Sequence, residues 1–244
     1  MQENTDYTKI PVGDLVSEDY RRADIFKAHG IDFCCGGKKT IGEVSTEKKF
    51  NIKELVRDLN ELELSAGRKA LDFRKWELDF LCDYIVNTHH SYVKESIPKI
   101  SAFLEKVVSR HGNNHPELPQ IKHRFDTITK DLAEHMEKEE KVLFSVIKKM
   151  YQAKKENKKL ERPHFKSLSI PISEMEADHS DAGKLLAEIN ELSSNYTPPA
   201  FACTTYKVTY LNLKQFEEDL HTHVHLENNV LFPALPNLEK EVFI

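Results

Sequence analysis

His135-Met136-Glu137-Lys138-Glu139-Glu140-Lys141-Val142-Leu143-Phe144 and His223-Val224-His225-Leu226-Glu227-Asn228-Asn229-Val230-Leu231-Phe232 are two copies of one pattern, H-x-x-x-E-x-x-V-L-F. Residues four apart on an α-helix share a face, about 6 Å apart along the axis. A histidine nitrogen and a glutamate oxygen at that spacing can therefore converge on one metal ion. Two such helices facing each other bring two carboxylates to the middle of a bundle, where each carboxylate has an oxygen for each of two metals. Helical bundles build dinuclear sites in this way, with metals roughly 3.5–4 Å apart.

The repeat extends outward. His90-Ser91 and His179-Ser180 form a weaker matching pair. His90 to His179 is 89 residues and His135 to His223 is 88, as expected for a duplicated helical hairpin. Each half supplies one lone histidine and one His-x3-Glu pair. Around these residues the apolar positions recur at helical spacing and predict four long helices. The first runs from Phe73 to Ile100 and on toward Ser109, the second from Glu117 to Tyr151, the third from Ser173 to Ser193. The fourth runs from Thr205 to Leu231, with Pro233 marking its end. The V-L-F flanks read as core packing beneath the site. The first lone histidine has a rival. The wheel through Leu78, Leu81 and Ile85 favours His89 as the inward residue, whereas the repeat favours His90. His90 is taken here. His221 and His225 read as supporting or surface residues, and His111 and His115 as surface residues beside a turn.

The whole chain fits this reading. Its 244 residues are 39% hydrophobic and 31% charged, with eight glycines and a net charge of −5. Few glycines argue against a sheet-rich fold, and the mild charge advertises no nucleic acid. The polar start Met1–Asp6 holds no signal core, and no apolar run reaches the roughly 20 residues of a membrane helix. No membrane partner is expected, and a reducing cytoplasm is the expected location. The basic stretch Lys154–Lys166 reads as a solvated loop.

Residues 1–65 read as a small helical domain, too short to bury a large core alone. Ser17 is a plausible N-cap within Pro11–His29, and a further helix is expected from Asn51 to Leu64. Between them lies Gly30-Ile31-Asp32-Phe33-Cys34-Cys35-Gly36-Gly37. Adjacent cysteines form only a strained ring disulfide, so Cys34 and Cys35 read as a thiol pair for redox or transient metal handling. Lys38 and Lys39 would favour thiolates there. Residues 66–244 make the bundle. Imidazole with carboxylate suits iron, manganese or zinc, and the lack of cysteine in the repeat removes a thiolate-rich zinc site.

The N-terminal Ile31-Asp32-Phe33-Cys34-Cys35-Gly36-Gly37-Lys38, the stretch Pro198-Pro199 to Ala202-Cys203-Thr204-Thr205, and His223-x3-Glu227-Asn228-Asn229-Val230-Leu231-Phe232-Pro233 together resemble the repair-of-iron-centres family. These are bacterial di-iron proteins linked to mending iron–sulfur clusters damaged by nitric oxide or peroxide. The resemblance covers nearly the whole chain. It implies an all-α, haemerythrin-like up-and-down four-helix bundle carrying a small helical N-terminal domain. It implies two iron ions, bridged by oxide and carboxylate, with ligands His90, His135, Glu139, His179, His223 and Glu227. Glu139 and Glu227 would bridge, and Cys34 and Cys35 would assist. It further implies damaged iron–sulfur proteins and nitric oxide as partners, and a homodimer. Iron donation and nitric oxide reductase-type processing both remain open as the mechanism. The alternative is an oxygen- or nitric oxide-binding module like simple haemerythrins, which would have no need of Cys34 and Cys35.

Overall fold

The computed structural model describes residues 6–64, 71–161 and 167–243. They are helical throughout; among them the only β-pairing is two isolated bridges. The chain divides into two compact units, Met1–Glu77 with Val224–Pro236, and Leu78–His223 with Asn237–Ile244.

The first unit contains four short helices, α1 (Val12–Glu18), α2 (Arg22–Ala28), α3 (Ile41–Lys48) and α4 (Ile52–Leu64). Pro11 opens α1: its ring holds φ at −57° and its missing N–H would have had no helical partner. Ser17 therefore lies inside α1 and caps nothing, contrary to expectation. Its hydroxyl donates back to the Gly13 carbonyl at 2.7 Å. Thr40 and Glu43 form a reciprocal capping box at the start of α3. Val12, Phe26, Ile41, Leu55 and Leu59 are fully buried and form the small core.

The second unit is built on long helices. α5 spans 78–111, α6 spans 117–155, α7 is Ser169–Leu192, and α8 spans 204–242, its central residues belonging to the first unit. Residues 117–138 pack against both Ser91–His111 and Ser169–Leu192. Ile85, Val93, Ile100, Ile121, Phe125, Ile189 and Phe216 are fully buried, with Phe125 and Phe216 edge to face at 5.3 Å. Each such side chain contributes roughly 1.5–3 kcal/mol through burial.

Several boundaries differ from the sequence reading: α5 begins at Leu78, after a separate turn at Phe73–Lys75, not at Phe73, and three others differ for a local reason. α7 begins at Ser169 because Pro171 sits in its first turn, where no N–H is required. α6 continues to Lys155, so Lys154 and Lys155 are helical; residues 162–166 of the basic stretch lie outside the described residues. Pro233 does not end α8, which continues to Val242. A π turn, Glu227–Leu231, precedes the proline, and the carbonyl of Asn229, which Pro233 cannot serve, faces the Ser17 hydroxyl at 3.3 Å.

No helix among the described residues is long and apolar enough to cross a membrane.

Candidate metal centre

Every candidate ligand side chain of the bundle is buried: His90, Glu139 and His223 are 0% exposed, His135 and His179 2%. α5 contributes His90, α6 His135 and Glu139, α7 His179, and α8 His223. One ligand atom from each of His90, Glu139 and His223 lies within 4.8 Å of the others, and the same holds for His135, Glu139 and His179. Glu139 belongs to both groups. Glu227 is also 0% exposed and stands one turn beyond His223 on α8, the spacing of Glu139 from His135 on α6.

The nitrogens that converge are all Nε2. Those of His90 and His223 are 3.2 Å apart, and those of His179 and His135 are 3.0 Å apart. Glu139 Oε2 lies 3.4 Å from His90 Nε2, and Oε1 lies 3.1 Å from His135 Nε2. The other ring nitrogens of two of these histidines face carboxylates. His90 Nδ1 is 2.8 Å from Glu140 Oε1, and His135 Nδ1 is 3.1 Å from Asp178 Oδ2. A carboxylate accepts, so each Nδ1 carries the proton and donates outward, leaving an inward lone pair on Nε2. His223 and His179 bring their Nε2 atoms to 3.2 and 3.0 Å from these lone pairs, so each group crowds two ring nitrogens beside one carboxylate. Neither Glu139 oxygen receives a hydrogen bond among the described residues. A buried carboxylate in that condition is costly unless it is paired or coordinates metal. This donor set, imidazole plus carboxylate with an acidic outer layer that orients the rings, fits a divalent or trivalent cation such as iron.

Among the described residues three π turns each begin or end on a candidate ligand: Ile85–His90 ends on one, while Glu139–Leu143 and Glu227–Leu231 each begin on one. π turns cluster at functional sites because they rotate the following side chains. The first explains the competition between His89 and His90. A regular helix would continue the Ile85 face at position 89. The extra residue of the π turn moves that face to position 90. His89 is nevertheless buried: its Nδ1 pairs with Asp219 Oδ1 at 2.9 Å and its ring stacks on His223.

Glu140, Asp178 and Asp219 were missed from sequence, where acidic residues are too common on helices to stand out. Burial opposes charge on Glu140, but Lys94 and His90 outweigh it and hold the carboxyl below its usual value. A cavity of about 90 Å³ reaches His135 and His179, with Asp131, Asp178, Asp181 and Leu132 in its wall. His111 lies apart from the centre, 3.7 Å from Cys203 Sγ.

In the first unit, the Asp32 carboxylate accepts from the backbone N–H groups of Cys34, Cys35 and Gly36 at 2.9–3.0 Å. Cys34 is buried and Cys35 half-buried, with no disulfide between them and their sulfurs 4.0 Å apart. The neighbouring Cys35 thiol, burial and the Asp32 charge all push the Cys34 thiol upward. Cys34 is thus held as a thiol, not the thiolate expected from the lysines; Lys39 is bound instead to Glu47 at 2.7 Å.

Comparison with known proteins places these two parts in known classes. Residues 83–235 match the hemerythrin HHE cation binding domain, and residues 8–63 match ScdA_N, a domain of unknown function. The chain is 33% identical over 221 residues to the iron-sulfur cluster repair protein ScdA of Staphylococcus haemolyticus, covering 91% of this chain and 95% of the relative. It is 34% identical over 227 residues to the iron-sulfur cluster repair protein YtfE of Edwardsiella ictaluri, covering 93% and 96%. The YtfE of Yersinia pseudotuberculosis is 32% identical over 229 residues, with 93% and 97% covered. From the helical bundle with its buried histidines and carboxylate, and from these matches over most of its length, the chain belongs to the hemerythrin HHE cation binding domain family.

Proposed function

We propose that this protein repairs iron–sulfur clusters damaged by nitrosative or oxidative stress, using two iron ions held by His90, His135, Glu139, His179, His223 and Glu227. The observation that carries the reading is the convergence of four imidazole nitrogens on Glu139, whose buried carboxylate oxygens receive no hydrogen bond among the described residues. The relatives' names, iron-sulfur cluster repair protein, supply the class of task.

Bound there, iron would supply exchangeable coordination positions and a change of redox state. The chain's own residues do the rest. Glu140 and Asp178 fix the imidazole rings so that Nε2 faces inward. Glu139 turns Oε2 toward His90 and Oε1 toward His135 and would hold both metals, and Glu227, a turn beyond His223, would be the second shared carboxylate. The packed bundle keeps bulk water away, and the cavity beside His135 and His179 gives small molecules a route. In this reading the clients are damaged iron–sulfur proteins, nitric oxide is a ligand, and the protein works as a cytoplasmic homodimer. Cys34 and Cys35 assist at the client.

The test is recovery of an iron–sulfur enzyme inactivated by nitric oxide or peroxide. The iron-loaded protein is expected to restore activity, and His135→Ala with His223→Ala is expected to abolish the effect. If the loaded protein binds nitric oxide or oxygen reversibly and restores nothing, it is a binding module and the repair reading falls.

A further inference from the structure

The cysteine turn is internally rigid, and one side chain of α8 holds it. Asn229 Nδ2 donates to the Cys34 carbonyl at 2.9 Å and the Phe33 carbonyl at 3.2 Å, and lies 3.3 Å from His225 Nδ1. The carboxamide sits in a slot between Gly13 and Gly37, where a Cβ at either position would overlap Oδ1. Gly13 N donates to the Gly37 carbonyl at 2.8 Å and closes that slot. His225 packs edge to face on Phe33 and is fully buried. All of these residues belong to the first compact unit.

Asn229 is also two residues beyond Glu227, in the middle of the π turn Glu227–Leu231. Were Glu227 to adjust on taking up a metal, the turn it starts would carry Asn229 with it. From α8, Asn229 bonds to both the Phe33 and the Cys34 carbonyls, while His225 bonds to the Phe33 backbone. We infer that Asn229 is a positioning residue that couples the iron-bound state of Glu227 to the accessibility of the Cys35 thiol. This rests on the proposal that Glu227 is an iron ligand. The consequence is that the thiol pair is presented differently by the loaded and the emptied protein, so a client could be engaged or released according to iron content.

The experiment measures the rate of Cys35 alkylation by a neutral maleimide, read by mass spectrometry, in the full chain carrying Cys203→Ser. Cys34 and Cys82 are buried, so Cys35 dominates the signal. Anaerobic ferrous-loaded and metal-free samples are compared after iron content is measured. The rates are expected to differ about fivefold or more, the lower end of ordinary coupling between sites. In Asn229→Ala the difference is expected to vanish while iron content stays as in the parent. Asn229→Asp keeps the size, removes the donor and is expected to behave alike; should the alanine variant unfold, it and the parent comparison decide. Equal rates in the loaded and metal-free parent overturn the coupling, as does a full difference surviving in either folded variant. A chain that takes up no iron overturns both this inference and the function proposed above, whereas iron uptake with equal rates overturns this inference alone.

Discussion

Two helices carry the same ligand pattern and present opposite outer faces. On α6, Glu137 and Lys141 pair with each other in water, and Val142 is 53% exposed. The corresponding positions on α8 are His225, Asn229 and Val230, and all three are turned to packing: His225 is 0% and Val230 8% exposed, and Asn229 grips the cysteine turn. Burial drives the His225 imidazole pKa down to about 4, so it packs there as a neutral ring. The inward faces are alike, as coordination by histidine and glutamate at that spacing would require. The outward faces are free to diverge, and one of them has become the floor of the N-terminal unit. The outer layer of the site diverges too. Asp178 precedes His179 and orients His135, whereas its counterpart His89 precedes His90 and stacks over His223.

The largest effect should come from striking the shared face. Glu139→Ala removes one of the carboxylates common to both groups of candidate ligands, and iron per chain is expected to fall below half of the parent value by metal analysis. Equal iron in the variant would break the equivalence of the two halves. Next, Asp178→Asn keeps the shape but weakens the acceptor for His135 Nδ1. Such supporting contacts are worth about 10–100-fold in metal affinity, which a chelator competition would read. Because His89 has no such acceptor role, His89→Phe should cost less affinity than Asp178→Asn; the reverse order would show that the halves are oriented differently from this account.

The outer faces are compared by stability. Asn229→Ala leaves two buried carbonyls without their donor and is expected to cost about 2–4 kcal/mol in denaturant unfolding of the first unit. Lys141→Ala, at the same place in the repeat, breaks only an exposed pair and should leave the midpoint unchanged. The smallest contrast is Val230→Ala, expected to cost about 1 kcal/mol, against no measurable change for Val142→Ala. Similar losses on both helices would remove the distinction between their faces.

Much of this was legible in the sequence for a physical reason. His-x3-Glu is a one-turn spacing, and repeating it with V-L-F behind it leaves little besides a helix carrying a buried polar face. The helical bundle follows from that, as does the choice of inward residues on α6 and α8. What escaped depends on departures from regular geometry or on contacts far along the chain. The π turn at Ile85–His90 shifts the inward face by one residue, and no local composition announces it. The continuation of α8 past Pro233 depends on the π turn before it. Asn229 reads as an ordinary polar helix residue until Gly13 and Gly37, about two hundred positions away, are seen to close on it. The lysines do not make Cys34 a thiolate because the neighbouring Cys35 thiol, burial and Asp32 act directly on its sulfur, while Lys39 is bound to Glu47.

The most direct test of the proposed two-metal centre is metal analysis with absorption spectroscopy on protein purified from cells, beside the double variant His135→Ala, His223→Ala. Two irons per chain are expected in the parent, with the bands of a bridged pair, and loss of both in the variant. Zinc in place of iron, or iron that survives both substitutions, would contradict it.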